Sequence, residues 1–187
     1  PAGLFPLCVD AAQAFGSGTH ATTKGCLLAI EKASSSKRHI NRILDLGCGS
    51  GILSMAAKSL NPSAAVIAAD YDKISVETTR QNWHINQYPK KAFFALHSEG
   101  FSHERLRKKQ RFDLIIANIL AKPLKQFAPL IAKNLTFNGK VILSGILTSQ
   151  MRDIRAIYRH HHLFVMQHIQ IQAWSTLLLA PKTNYTK

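Results

Sequence analysis

The sequence predicts an α/β fold in which a mostly parallel sheet is wound on both faces by helices. Three observations carry that prediction. From residue 42 onward, strand-sized apolar runs alternate with amphipathic stretches. Phe112-Asp-Leu-Ile-Ile-Ala117 is almost continuously apolar, as expected of a strand covered on both faces. Arg42-Ile-Leu-Asp-Leu46 runs into a glycine-rich turn and then into a helical pattern, so strand, turn and helix follow without a linker.

The elements follow in order. After the strand at 42–46, Ile52, Leu53, Ala56, Ala57 and Leu60 fall at helical spacing, and Asn61-Pro62-Ser63 stops that helix. Ala65 to Ala69 reads as the second strand, Lys73 to Asn86 as a helix, and Ala92 to Leu96 as a short third strand. The fourth strand, 112–117, is expected to be central. Leu124, Phe127, Ala128, Ile131 and Leu135 mark an amphipathic helix over 124–135, and Gly139 restarts the backbone into a strand over 140–144. A helix over 148–158 buries Met151, Ile154, Ile157 and Tyr158. The runs 163–171 and 174–179 have no room between them for a crossover helix and must pair antiparallel. The result is a seven-stranded, mostly parallel sheet whose last strand is reversed. Ser34-Ser35-Ser36 reads as a short linker into the first strand.

Length and composition bound the rest. The 187 residues, 46% hydrophobic and 18% charged, suit one globular domain. The wholly apolar runs fall far short of the roughly 18 residues that a membrane helix requires. Cys8, Cys26 and Cys48 are odd in number and form no CxxC pair, so neither a disulfide framework nor a zinc ribbon is indicated, and reduced, cytoplasmic thiols are expected. Pro1-Ala-Gly-Leu-Phe-Pro6 has no secretory pattern and no initiator Met, so the chain reads as a fragment. A net charge of +14 attracts polyanions, and Arg105-Leu-Arg-Lys-Lys-Gln-Arg111 is its densest piece. Ribosome or RNA contact is one reading of that stretch, and a solvated helix end is the other.

The chemistry concentrates in four segments. Asp45-Leu-Gly-Cys-Gly-Ser-Gly51 places Gly47, Gly49 and Gly51 between strand and helix, where a ligand must approach the backbone closely. Its third glycine follows two residues after the second, unlike the GxGxxG of nicotinamide enzymes. This spacing resembles motif I of the class I S-adenosylmethionine-dependent methyltransferases. Asp70 and Asp72, 19 and 21 residues after Gly51, are candidates for accepting both ribose hydroxyls, although Asp72 also suits the N-cap of the next helix. Ser98 and Glu99 follow the third strand, where such enzymes contact adenine. Asn118, in Ala117-Asn118-Ile119-Leu120-Ala121, ends the central strand at the ligand crevice of an open α/β sheet. The Pro-Pro-aromatic that follows Asn in base and amide methyltransferases is replaced by Ile119-Leu120.

Taken with Ala14-Phe15-Gly16-Ser17-Gly18-Thr19-His20-Ala21-Thr22-Thr23 and Ser144-Gly-Ile-Leu-Thr-Ser-Gln150, these segments are similar, in order and over residues 9 to about 180, to the PrmA family, bacterial methyltransferases of large-subunit ribosomal protein eleven. Ser17 and Ala21 are small departures. The resemblance implies a Rossmann-like class I methyltransferase domain over 1–187. It implies S-adenosyl-L-methionine as cofactor, held by Phe15, Gly16, His20, Thr22, Thr23, Asp45, Gly47, Gly49, Gly51, Asp70, Asp72, Ser98 and Asn118. Residues 1–21 are expected to be a lead-in and mobile loop, and the family's N-terminal recognition domain is expected to be missing.

The implied reaction is methyl transfer to lysine and α-amine nitrogens of the ribosomal protein at the stalk base, in the cytoplasm, with Asn118 positioning the amine and with no metal and no membrane. RNA methylation, a nicotinamide-dependent oxidoreductase and a non-catalytic nucleotide-binding module remain as alternatives. His160-His161-His162 sit consecutively on a helix end and cannot all reach one ion.

Overall fold

The computed structural model describes residues 6–10, 20–35, 38–107 and 111–182. Within them α1 (Ala21–Ser34) precedes β1 (Arg42–Leu46), α2 (Ile52–Leu60), β2 (Ala65–Asp70), α3 (Lys73–Ile85) and β3 (Phe93–His97). Then come α4 (Glu104–Arg107), β4 (Phe112–Asn118), α5 (Ala121–Lys133), β5 (Leu135–Leu147), α6 (Met151–His160), β6 (Leu163–Ile171) and β7 (Trp174–Pro181). One seven-stranded sheet holds the order β3-β2-β1-β4-β5-β7-β6. The pairs among β1 to β5 are parallel, while β7 is antiparallel to both β5 and β6, so the expected reversed strand is inserted between them.

Alternating strand residues divide into two apolar layers. Ile43, Val66, Leu114, Ile116, Ile142 and Leu178 pack with Cys26 and Ile30 of α1, Leu53 of α2 and Trp83 of α3. Leu44, Ile67, Ile115, Val141 and Leu177 pack with Leu124, Ala128 and Ile131 of α5 and with Ile154 and Tyr158 of α6. The Tyr158 hydroxyl, buried with its ring, donates to Leu124 O at 2.9 Å. β4 lies centrally and is buried over Leu114 to Ala117, as its apolar run required.

Boundaries shift where local chemistry overrides periodicity. α5 begins at Ala121 rather than 124, because Pro123 falls in the first turn, where a missing N–H costs no helical bond. β5 begins at Leu135: that residue pairs with Phe112 before the register jumps to Leu114 opposite Lys140. A 3-10 turn, Thr148–Gln150, precedes α6. The short helix α4 covers the start of the basic stretch, where a solvated helix end was one of the two readings. No helix among the described residues is long and apolar enough to cross a membrane.

Candidate active site

The strand order turns back between β1 and β4, and at that point the carboxyl ends of neighbouring strands part to leave a crevice. The turn after β1 lies there. Gly47 N and Cys48 N donate to Ala69 O at 2.7 and 3.1 Å, and Gly51 N closes the turn on Cys48 O at 2.8 Å. Gly47 and Gly51 have φ of +78° and +81°. A Cβ on Gly47 would run into the Ile119 side chain, and one on Gly51 would stand 2.8 Å from Thr79 Cγ2. The β4–α5 connection and α3 thus press on the turn from two sides, and only glycine fits.

Asp70 clasps this turn to the end of β2. Its Oδ2 accepts from Gly49 N at 2.9 Å and its Oδ1 from Asp72 N at 3.0 Å, with the residue 7% exposed. Each oxygen keeps a further lone pair. Asp72 serves differently: it is the N-cap of α3, accepting from Ile74 N, Ser75 N and the Ser75 hydroxyl at 3.1, 3.0 and 2.8 Å. The Ser75 hydroxyl, followed by the Ser75 and Ile74 amides, holds its carboxyl below the ordinary value. Of the two acids, Asp72 therefore performs the cap duty that the sequence left open.

Asp45, wholly buried at the end of β1, accepts from Ser54 Oγ at 2.6 Å through Oδ2, while its Oδ1 has no partner. Burial raises its carboxyl to about 6; the Ser54 hydrogen bonds oppose the rise and the Asp70 carboxylate adds to it. Asn118 ends β4 opposite Ser144 of β5, next to Ile119 on the glycine turn, and its buried Oδ1 is also without a partner. A buried acceptor left unpaired is costly, and each one calls for an explanation.

α1 flanks the same end of the sheet. His20 is its N-cap, with Nδ1 accepting from Thr22 N at 3.3 Å, and its ring meets Trp174 edge-on at 5.3 Å. Ser144 Oγ donates to Thr22 O at 3.3 Å and pairs with Thr176 Oγ1 at 2.8 Å. The Thr23 hydroxyl is buried without a partner. Ser98 is occupied by its own loop, donating to Gly100 O at 2.9 Å and accepting from His103 N at 3.1 Å, while Glu99 is exposed. Phe15 and Gly16 lie outside the described residues.

Asp45, Gly47, Gly49, Gly51, Asp70 and Asn118 thus gather at one end of β1, β2 and β4, with His20, Thr22 and Thr23 beyond β5. The sequence reading missed the struts behind the turn. Thr79 Oγ1 donates to Gly49 O at 2.9 Å, and Asn82 Nδ2 donates to Ser50 O at 2.9 Å. Their signal was faint: polar residues on a helix whose composition reads as a solvated face. No cluster of three or more His, Cys, Asp or Glu side chains suited to a metal forms among the described residues.

Comparison with known proteins gives the arrangement a context. The family described as ribosomal protein L11 methyltransferase (PrmA) matches residues 5–182. The proteins of that name from Bradyrhizobium diazoefficiens and Agrobacterium fabrum are each 41% identical to the chain over 172 residues, 91% of its length. The chain spans 57% and 58% of those two relatives. The crystal structure of ribosomal protein L11 methylase from Lactobacillus delbrueckii subsp. bulgaricus superposes with a TM-score of 0.81 at 28% identity, covering 94% of this chain and 84% of that one. A precorrin-6y C5,15-methyltransferase from Geobacter metallireducens, 14% identical with a TM-score of 0.71, shares the fold. With a family match over nearly its whole length, the chain belongs to the ribosomal protein L11 methyltransferase family.

Proposed function

We propose that this chain is the catalytic portion of an S-adenosylmethionine-dependent methyltransferase acting on lysine and α-amine nitrogens of ribosomal protein L11. The observation that carries the reading is the unpartnered, buried Oδ1 of Asn118, one residue from the side chain that packs on the glycine turn. It is an acceptor waiting for an N–H donor at the crevice.

The residues present fit the cofactor. S-adenosylmethionine carries an ammonium and two ribose hydroxyls as donors, and the crevice offers Asp45 Oδ1 and the remaining lone pairs of Asp70 as acceptors. The left-handed glycine turn lets a ligand approach the backbone, and α2 starts at Gly51 without a side-chain cap, although the Ser54 amide of its first turn already faces Asp45. When bound, the cofactor supplies an electrophilic methyl carbon on a sulfonium. Asn118 would then orient the amine through an N–H···O bond, aiming the nitrogen lone pair, and such alignment accounts for much of the rate in transfers of this kind. A lysine amine, with an ordinary pKa near 10.4, must arrive neutral, and desolvation in the crevice favours loss of its proton.

His20, Thr22 and Thr23 are assigned to the cofactor-facing wall beside β5. Ser98 is assigned to shaping the adenine side through its loop. The partner is a ribosomal protein, which sets the work in the cytoplasm, and the basic surface adds attraction to ribosomal RNA. RNA methylation as the main activity has no support beyond that charge, since Ile119 is packed on Gly47 and no aromatic follows Asn118.

The test is mass spectrometry of purified L11 after incubation with the protein and S-adenosylmethionine. Added methyl groups on lysine or α-amine nitrogens, abolished by Asn118→Ala, support the reading. Methylation of ribosomal RNA with L11 left unmodified overturns it.

A further inference from the structure

Residues 6–10 lie along α3 in a manner that neither charge nor hydropathy announced. Leu7 and Val9 are half-buried against the apolar layer, whereas Cys8 and Asp10 alternate outward, which is the pattern of extended chain. Asn82 of α3 and Asn86, which caps its C-terminus, meet that chain edge on. Asn86 accepts from Cys8 N at 2.8 Å and donates to Cys8 O at 2.7 Å. Asn82 accepts from Asp10 N at 2.9 Å and donates to Asp10 O at 2.9 Å.

The geometry explains why the match works. Four residues of helix rise about 6 Å, and two residues of extended chain about 6.6 Å, so side-chain amides one helical turn apart meet alternate residues of a strand. Each carboxamide offers one acceptor and one donor to its residue, as a neighbouring strand would. α3 therefore supplies an edge for a segment that joins no sheet.

The two asparagines differ in one respect. Asn82 is fully buried, and its Nδ2 donates to Ser50 O at 2.9 Å as well as to Asp10 O. All the hydrogen-bonding capacity that the structure shows for it is divided between the segment and the glycine turn. Asn86 spends its second donor on Asn82 O at 2.8 Å and on the Met55 sulfur at 3.4 Å, within the helix layer.

We infer that Asn82 is a positioning residue which couples the order of residues 6–10 to the order of the glycine turn at 47–51. The inference rests on the proposed cofactor reading of that turn. A ligand that stiffens the turn fixes Ser50 O, which fixes the Asn82 carboxamide, which holds Asp10 and, through the next rung, Cys8. Coupling is reciprocal, so loosening the segment weakens the ligand.

The experiment is hydrogen exchange on the whole chain, free and saturated with S-adenosylmethionine, with calorimetry for affinity. In the unaltered protein the cofactor should slow exchange at Gly49 and Gly51 and also, by about threefold or more, at Cys8 and Asp10. Asn82→Asp keeps the side chain's shape but removes its donors. It should lower affinity about tenfold and abolish the cofactor-dependent slowing at Cys8 and Asp10. Asn86→Asp should speed exchange at Cys8 and weaken affinity far less than Asn82→Asp, within about threefold, because Asn86 reaches the turn only through the segment.

Cofactor binding with unchanged exchange at Cys8 and Asp10 in the unaltered protein would overturn the coupling alone, and that result stands whether or not Asn82→Asp folds. Absence of any binding heat would overturn the cofactor reading and the coupling with it.

Discussion

The two ends of the sheet treat their carboxylates differently. At the amino end of β4, Asp113 Oδ2 accepts from Asn41 N and Arg42 N at 2.9 and 3.0 Å, and its Oδ1 accepts from the Thr136 hydroxyl at 3.1 Å. Both oxygens are used, and the group ties the entry of β1 to β5. At the carboxyl end of β1, Asp45 has one oxygen on Ser54 and the other on nothing, in a site with no exposure. Asn118, at the far end of the strand that carries Asp113, repeats the pattern. Asp113 at the amino end completes the fold, whereas Asp45 and Asn118 at the carboxyl ends each keep a buried oxygen unpaired, as expected where a ligand supplies the missing partner.

That contrast predicts opposite responses to substitution. The largest effect is expected at Asn118: Asn118→Ala should lower turnover about a hundredfold while cofactor affinity stays within about threefold, because alignment counts in the transition state. Equal losses in steady-state rate and calorimetric affinity would reduce Asn118 to a cofactor contact.

Next is Asp45. Its folded value, about 6, lies above the ordinary 3.8, so between these values the folded state holds more protons than the unfolded state. The stability associated with this proton is fully present below about 4 and lost as pH rises through 6. Asp45→Asn removes that loss, and denaturant titrations should show the variant gaining on the parent by about 2 kcal/mol from pH 4 to pH 7. A constant difference across that range would contradict the burial argument.

Asp70→Ala breaks the clasp on Gly49 and should weaken S-adenosylmethionine about tenfold in calorimetry. The smallest effects on the ligand are expected from Asp113→Ala and Asp72→Ala. Both should lower the melting temperature, through a lost brace and a lost helix cap, and leave affinity within about twofold. If Asp113→Ala weakened the cofactor as much as Asp70→Ala, the distinction between the two ends would fail.

Much of this was legible in the residues. The run Phe112 to Ala117 announced a central parallel strand, and the spacing of Gly47, Gly49 and Gly51 after Asp45 announced the turn. Periodicity described α2 and the β6–β7 hairpin to within two residues because each is bounded by Gly, Pro, Asn or a short connection. Other features depended on long-range contacts that no local window contains. Asn82 and Asn86 look like solvent-facing residues of a polar helix, and only a strand-like segment more than seventy residues away gives them work. The choice between Asp70 and Asp72 was likewise open in sequence, since either suits a cap or a ribose. The structure shows Asp72 capping α3 and Asp70 holding the glycine turn.

Titration of Asp45 by carbon-13 NMR of its carboxyl group, with and without S-adenosylmethionine, reads the incomplete group directly. In the free protein the midpoint should lie near 6. Saturation with the cofactor should move it downward, because a cation and hydrogen-bond donors brought to an unpartnered oxygen favour the ionised form. A midpoint at the ordinary carboxylate value, or one near 6 that the cofactor does not move, would contradict the claim that the incomplete groups at the carboxyl ends of the strands are completed by the ligand.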